Sequence, residues 1–356
     1  MTIAAERPRS IILQGGAHAG IRRWLWAVAA LVFLMVVVGG ATRLTGSGLS
    51  ITEWKPITGA VPPLSGSAWA EEFAKYRASP QYQLLNEGMS LGEFQFIYWW
   101  EWGHRQLGRF IGLVFLAGFL VAAVRRLLPA RQTALLFGMG LLLGLQGAIG
   151  WIMVASGLQP GMVAVAPVKL TLHLTFAGLF FASVIAFATA LTPQRRAEPA
   201  RGRAMAWLLL ALVFAQIALG GLVAGSRAGF TFNTWPLLDG ALIPPGSQLF
   251  AQSPFWENFV DNVALVQFNH RLGAYLLLAA ALWHLWRMRV IAPGSGSARR
   301  AGAIAGLVLA QSALGIVTLL LVVPLWAGLA HQALGFTVLA MAVVNVTRAQ
   351  SGSRLA

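Results

Sequence analysis

Residues 101–126 read EWGHRQLGRFIGLVFLAGFLVAAVRR. His104 and Arg105 open an apolar run that closes on Arg125 and Arg126. About 20 apolar residues let a helix cross the hydrocarbon core of a bilayer, and an imidazole inside such a run is costly unless it finds a partner. Residues 267–287, QFNHRLGAYLLLAAALWHLWR, repeat the pattern around His270. Two further histidines sit on apolar runs, His173 in TLHLTFAGLF and His331 in AHQALGFTVL. Two imidazoles facing each other across a helical bundle make an axial pair for a haem iron, so four of them could hold two haems.

The rest of the chain supports a membrane setting. Of its 356 residues, 57% are hydrophobic and only 10% are charged. Apolar runs near 23–42, 103–124, 133–155, 170–191, 204–225, 264–286, 301–323 and 328–347 predict eight spans. The first is too long for a signal-peptide core and lacks a small-residue cleavage site, so it reads as a retained anchor. A net charge of +15 could suggest nucleic acid, but its distribution argues otherwise. Arg7, Arg9, Arg22 and Arg23 precede the first span; Arg125, Arg126 and Arg131 follow the second. Arg195, Arg196, Arg201 and Arg203 follow the fourth, Arg287, Arg289, Arg299 and Arg300 follow the sixth, and Arg348 and Arg354 close the chain. These basic clusters alternate with the spans so as to share one side, which the positive-inside rule assigns to the cytoplasm together with both termini. With no cysteine, the chain can form neither a disulfide, a thiolate metal site, a covalent c-type haem link nor a Cys-ligated iron–sulfur cluster.

The sequence also repeats itself. A gapless shift of 181 residues places Gly39-Gly40 on Gly220-Gly221, Gly48 on Gly229, Trp54 on Trp235, Gly59-Ala60 on Gly240-Ala241 and Pro63 on Pro244. With shorter offsets His104-Arg105 matches His270-Arg271, Gln146 matches Gln311 and His173 matches His331. Spans one to four then repeat as spans five to eight, in the same orientation. The expected fold is all-α: a polytopic membrane protein whose eight transmembrane helices form two tandem, parallel-repeat four-helix bundles. The halves are residues 1–191 and 205–356, joined by a basic cytoplasmic linker at 192–204. Each half carries a long outer loop, about 43–100 and 226–262, and SAWAEEFAKYRASPQ in the first reads as a helix lying on the membrane surface.

Depth tests the ligand idea. Counted to the cytoplasmic arginine of its own span, His104 lies 21 residues from Arg125 and His173 lies 22 from Arg195. His270 to Arg287 and His331 to Arg348 are both 17. At ~1.5 Å per residue all four stand roughly 25–33 Å above the basic belt, near the outer face. His284, close to the cytoplasmic end of its span and without a counterpart in the other half, reads as an interfacial residue. The halves differ at one acid. Glu101 stands three residues before His104, and Gln267 stands in the same place before His270. Residues i and i+3 share a helix face, so Glu101 points toward its ligand's cavity. It either serves chemistry there or pairs at the interface with Arg105. Arg105 and Arg271 either snorkel to the interface or pair with haem propionates.

These motifs, with GGATRLTGSGLSITEWKPITGAVPP after the first span, resemble the haem A synthase family in the cysteine-free form of its proteobacterial and mitochondrial members. The resemblance covers nearly the whole chain. It implies an oxidoreductase that converts the C8 methyl of haem O to the formyl of haem A by successive hydroxylations, for terminal oxidases. It implies that His104 and His173 serve the substrate haem, that His270 and His331 bind haem b, and that Glu101 is the essential acid. A haem O synthase (the farnesyl transferase) and terminal-oxidase assembly factors become candidate partners, in the cell inner membrane, and homo-oligomerisation stays open. Some members carry a cysteine pair in the first outer loop; any thiol step proposed for those cannot operate here. Two other classes remain from the residues themselves. A bis-histidine di-haem electron carrier of the cytochrome b type is opposed by the Glu101/Gln267 asymmetry. A parallel-repeat transporter is opposed by the scarcity of mid-span polar residues beyond Gln146, Gln216 and Gln311.

Overall fold

The computed structural model describes residues 9–192 and 202–351. The expected linker falls mostly on 193–201, outside the described residues, as do Arg7, Arg195, Arg196, Arg201 and Arg354. Among the described residues every regular element is helical. Helix α1 spans Arg9–Leu44, α2 Gly66–Arg77, α3 Pro80–Leu85, α4 Leu91–Val124, α5 Ala130–Gly157 and α6 Pro167–Ala190. In the second part α7 spans Arg203–Gly225, α8 Gly246–Leu249, α9 Val263–Ile291, α10 Gly296–Leu320 and α11 Leu325–Ser351.

Local signals set these limits. Ser90 caps α4 in a reciprocal box with Glu93: the Glu93 N–H donates to Ser90 Oγ at 3.3 Å, and Ser90 N–H donates to the Glu93 carboxylate at 2.8 Å. That cap adds about three turns before His104, so this histidine lies deeper along its helix than the hydropathy run implies. Pro167 opens α6 at a position where its missing N–H costs nothing. Asn262 caps α9 through the N–H groups of Ala264 and Leu265.

Seven of these helices are long and apolar enough to cross a membrane: α1 over His18–Leu44, α4, α5, α6, α7, α10 and α11 over Leu325–Gln350. The sequence reading expected eight. The one that falls short is α9, whose 29 residues include Gln267, Asn269, His270, Arg271, His284 and Arg287, which dilute its apolar run.

In the packing, α1 and α5 each lie against α4 and α6, whereas α7 and α10 each lie against α9 and α11. Between these groups α6 packs on α7 and α11, and α1 packs on α11. The core is therefore centred on α1, α6, α7 and α11, where Leu25, Phe180, Ile185, Leu209 and Leu339 are buried. Lipid tails are as apolar as leucine, so such contacts depend on close fit and small residues rather than on expulsion of water. Glycines supply the fit: at Gly118 a Cβ would collide with the Trp24 indole, and at Gly40 with the Gln332 amide.

The long segment between α1 and α4 folds back on α4. Its expected surface helix is two helices, α2 and α3, and their aromatic face meets protein: Tyr76 and Tyr82 are buried with Phe94, Ile97 and Tyr98 of α4. Tyr76 stacks on Phe94 with ring centroids 5.3 Å apart.

Candidate functional site

The four histidines lie on α4, α6, α9 and α11, and each faces a glycine of the preceding long helix. A Cβ added at Gly39 would stand 3.0 Å from His104 Cε1, and one at Gly150 would stand 2.8 Å from His173 Cε1. At Gly220 the distance to His270 Cε1 would be 3.2 Å, and at Gly315 to His331 Cε1 2.8 Å. Each imidazole edge thus rests against a bare stretch of helix backbone, on α1, α5, α7 and α10 in turn. Any larger residue would push the ring away.

The histidines come together in twos. His270 and His331 have ring centroids 6.4 Å apart, with planes inclined at 75°. A nitrogen–metal bond is about 2 Å long, and an imidazole nitrogen stands about 1.2 Å from its ring centre, so two rings sharing one metal have centroids a little over 6 Å apart. The observed spacing fits an iron between them. His104 and His173 likewise lie within electrostatic range of each other. Nδ1 of His104, His173 and His331 is buried without a hydrogen-bond partner, an arrangement that normally signals a role beyond packing. Among the described residues no three His, Asp or Glu side chains gather as a metal site. Paired imidazoles suit an iron whose remaining positions a porphyrin fills.

Three glutamines hold three of the four. Gln146 Nε2 donates to the backbone carbonyl of His173, Gln216 Nε2 to that of His270, and Gln311 Nε2 to that of His331, each at 2.9 Å. The same amides touch the rings: His173 Nε2 at 3.5 Å, His270 Nδ1 at 3.1 Å and His331 Nε2 at 3.3 Å. Sequence reasoning noted these glutamines but missed this role. The signal was present: each stands one helical turn before a ring-facing glycine, in QGAIG, QIALG and QSALG.

Glu101 is buried and fully engaged. Its Oε2 accepts from Ser50 Oγ and from the Ile51 N–H, both at 2.8 Å. Its Oε1 accepts from Arg105 Nη2 at 2.6 Å and from Arg105 Nε at 3.1 Å. Arg105 also donates to the carbonyls of Glu53 and Ile51, so the pair clasps the loop after α1 to α4. Gln267 and Arg271 do the same mechanical work in the second half. Gln267 Nε2 donates to Ala228 O at 2.7 Å, and Arg271 donates to Gln267 Oε1 at 2.6 Å and to the carbonyls of Phe232, Thr234 and Leu237. The structure thus places both arginines against loop backbone. Above Arg105, the Trp151 ring lies 6.0 Å from its guanidinium and 5.5 Å from Trp54.

An exposed ionic knot ties the same loop to α2. Lys55 and Lys75 approach the Glu53 carboxylate at 2.6 Å and 2.9 Å. These partners, Lys55 first, hold the Glu53 carboxyl below the usual range, and Glu71 leads the contacts that push the Lys75 ammonium up.

His284 departs from its expected interfacial position. It is buried, and its Nε2 lies 3.2 Å from Asn345 Nδ2 of α11. Helix–helix packing against α11 covers it, far along α9 from His270.

A family model described as COX15-CtaA, cytochrome oxidase assembly protein, matches residues 22–343. A protein of Methylobacterium sp. (strain 4-46) named "Heme A synthase" is 63% identical over 353 residues, covering 97% of this chain and 98% of its own. Proteins of that name from Methylobacterium nodulans and Azorhizobium caulinodans are 63% and 51% identical over 320 and 343 residues, covering 89% and 96% of this chain and 88% and 94% of their own.

Proposed function

The chain belongs to the COX15-CtaA family of cytochrome oxidase assembly proteins, and on that premise we propose that it is a haem A synthase, an oxidoreductase of the bacterial inner membrane. Its substrate is haem O and its product haem A: the C8 methyl becomes a formyl, one oxygen replacing two hydrogens, a four-electron oxidation that requires an oxygen source and an oxidant from outside the chain. His104 and His173 hold the substrate haem, and His270 and His331 hold haem b. A bound haem b supplies one-electron relay between a donor and the first site. The observation that carries this reading is the 6.4 Å spacing of His270 and His331, set among four histidines that each face a glycine of a neighbouring helix.

Glu101 is the catalytic acid of this reading. Its four donors hold the carboxylate in one orientation on the helix that carries His104. It accepts protons released as the methyl is oxidised, or offsets positive charge developing there. Gln267 can do neither, which is why the second pair only carries electrons.

Helix α9 is the eighth span: 29 residues at ~1.5 Å each give roughly 43 Å, enough to cross a bilayer. Helices α1, α4, α5 and α6 form the first bundle and α7, α9, α10 and α11 the second, with both termini cytoplasmic and the histidines near the outer face. The farnesyl tail of haem O then stays in lipid while its ring enters sideways. The partners follow from the substrate: the farnesyl transferase that makes haem O and the factors that deliver haem A to a terminal oxidase.

Extraction of the purified protein's haems followed by mass determination tests the function. Haem B together with haem O or haem A is expected; haem B alone would instead indicate a di-haem carrier. His270→Met and His331→Met should each remove or alter the low-spin haem b signal, and an unchanged signal in both would remove the second pair from the site.

A further inference from the structure

Three of the four histidine-bearing helices are gripped by an amide, and the fourth is not. The residue one turn before the ring-facing glycine is Gln146 on α5, Gln216 on α7 and Gln311 on α10, but on α1 it is Met35, in MVVVG. Among the described residues no side chain donates to the His104 carbonyl, whereas the carbonyls of His173, His270 and His331 each receive a glutamine N–H at 2.9 Å. Three of these four side chains rest against a glycine of the histidine-bearing helix, three residues after His270 and four after His104 and His331. Gly273 leaves room for the Gln216 amide, Gly335 for Gln311, with Nε2 3.3 Å from a Cβ built there, and Gly108 for Met35, with Cε 3.3 Å from one. A thioether fills that space but donates no hydrogen bond. His104 therefore meets its glycine, Gly39, as the others do, but neither its ring nor its carbonyl is anchored by an amide.

We propose that Gln146, Gln216 and Gln311 are positioning residues that fix His173, His270 and His331 as ligands, and that Met35 leaves His104 as the releasable ligand of the first pair. The inference rests on the reading that the histidine pairs hold haem iron, and it separates the roles of the two sites. The second pair, gripped on both sides, suits a haem that must stay while electrons pass. The first pair, gripped only at His173, suits a haem that must arrive and depart.

Carbon monoxide binding to the dithionite-reduced, detergent-purified holoprotein reads ligand release directly, because CO binds a bis-histidine iron only when one histidine leaves. In the wild type the first haem should bind CO and the second should not, the two being assigned by the spectra of His270→Met. Met35→Gln supplies the missing donor in a space of similar size. One added hydrogen bond of ordinary strength should weaken CO binding at the first haem about fivefold. Gln216→Met should open the second haem to CO and shift its low-spin EPR signal, while a merely structural role would change neither at constant haem content. If Gln216→Met loses haem b from a protein that stays monodisperse with wild-type helicity, the positioning role is likewise supported. Unchanged CO binding at the first haem in Met35→Gln, or a second haem still closed to CO in Gln216→Met, overturns the proposal and leaves the haem A synthase reading intact. A wild-type haem spectrum that survives in His270→Met and His331→Met overturns both.

Discussion

Glu101 and Gln267 occupy matching positions, and each accepts from the arginine four residues on. Each also clasps a long loop, Glu101 by accepting from Ser50 and Ile51 and Gln267 by donating to Ala228 O, but only Glu101 can exchange a proton. The glutamine of the other half clasps its loop without a carboxylate, so Glu101→Gln is the informative variant. It keeps an oxygen acceptor for Arg105, while its amide nitrogen replaces the oxygen that accepts from Ser50 Oγ and the Ile51 N–H, so haem content is read beside haem A. Retained haem content with haem A formation reduced ~10²-fold or more is expected, the range in which a lost proton-transfer group costs an enzyme. The ratio of haem A to haem O extracted from cells measures it. Wild-type haem A yield in Glu101→Gln would make the residue a loop clasp and nothing more. Glu101→Ala should lower both haem A and loop order, because Arg105 then loses its acceptor in a buried place.

Single helices owe their positions to small residues and caps. Helix α5 carries a sharp internal comparison. A Cβ at Gly150 would stand 2.8 Å from the His173 ring, whereas Gly144 has nothing within 4 Å. Gly150→Ala should displace the imidazole at a cost of ~1–3 kcal/mol, as overpacking usually does, and reduce haem bound at the first site. Gly144→Ala should be neutral or slightly stabilising, since alanine favours the helix. Equal haem content in the two variants would show that the ring does not need the bare backbone. On the loop and α2, the Glu53–Lys55–Lys75–Glu71 knot sets a pH window. Glu53 titrates below its ordinary 4.5, so its contribution is full above that pH and is lost as pH falls through the lowered value. Lys75 titrates above its ordinary 10.5, so its contribution is full below that pH and is lost as pH rises through the raised value. Amide protection across 51–77, corrected for intrinsic exchange, should therefore fall at both extremes and hold between them. Protection that stays flat below pH 4.5 would show that the clasp at Glu101 alone orders the loop.

For the molecule as a whole, the decisive quantity is orientation, because the proposed route of a lipid-soluble substrate depends on which leaflet the histidines face. Basic residues gather at the connections after α4 and after α9, which the positive-inside rule keeps in the cytoplasm. The absence of cysteine makes labelling clean. Ser67→Cys lies on exposed α2, and Pro293→Cys lies at the exposed turn between α9 and α10; Ser295 is unsuitable there because it caps α10. A membrane-impermeant maleimide applied to intact cells should modify Ser67→Cys and spare Pro293→Cys until the membrane is opened. The reverse pattern would put the histidines on the cytoplasmic side. The same experiment tests α9 as a span, since without it the two sites would fall on the same side.

The sequence by itself determined the helical class, the membrane setting, the four histidines and the unequal Glu101 and Gln267, because long apolar runs and buried ionisable residues are costly enough to be visible without coordinates. It placed eight apolar runs, of which seven stand out by hydropathy and the eighth, on α9, is diluted by its polar residues. Tertiary structure alone decided what each polar group touches. Glu101 and Arg105 form a clasp on the loop backbone, a bond between residues about fifty apart in sequence. His284 is buried by α11, not left at the interface. The glutamines grip histidine carbonyls on neighbouring helices, and Met35 interrupts the series. The physical reason is the same in each case. Periodicity and composition report how a residue meets solvent or lipid, whereas a hydrogen bond between helices depends on their rotation and spacing, and those are fixed only when all the helices pack together.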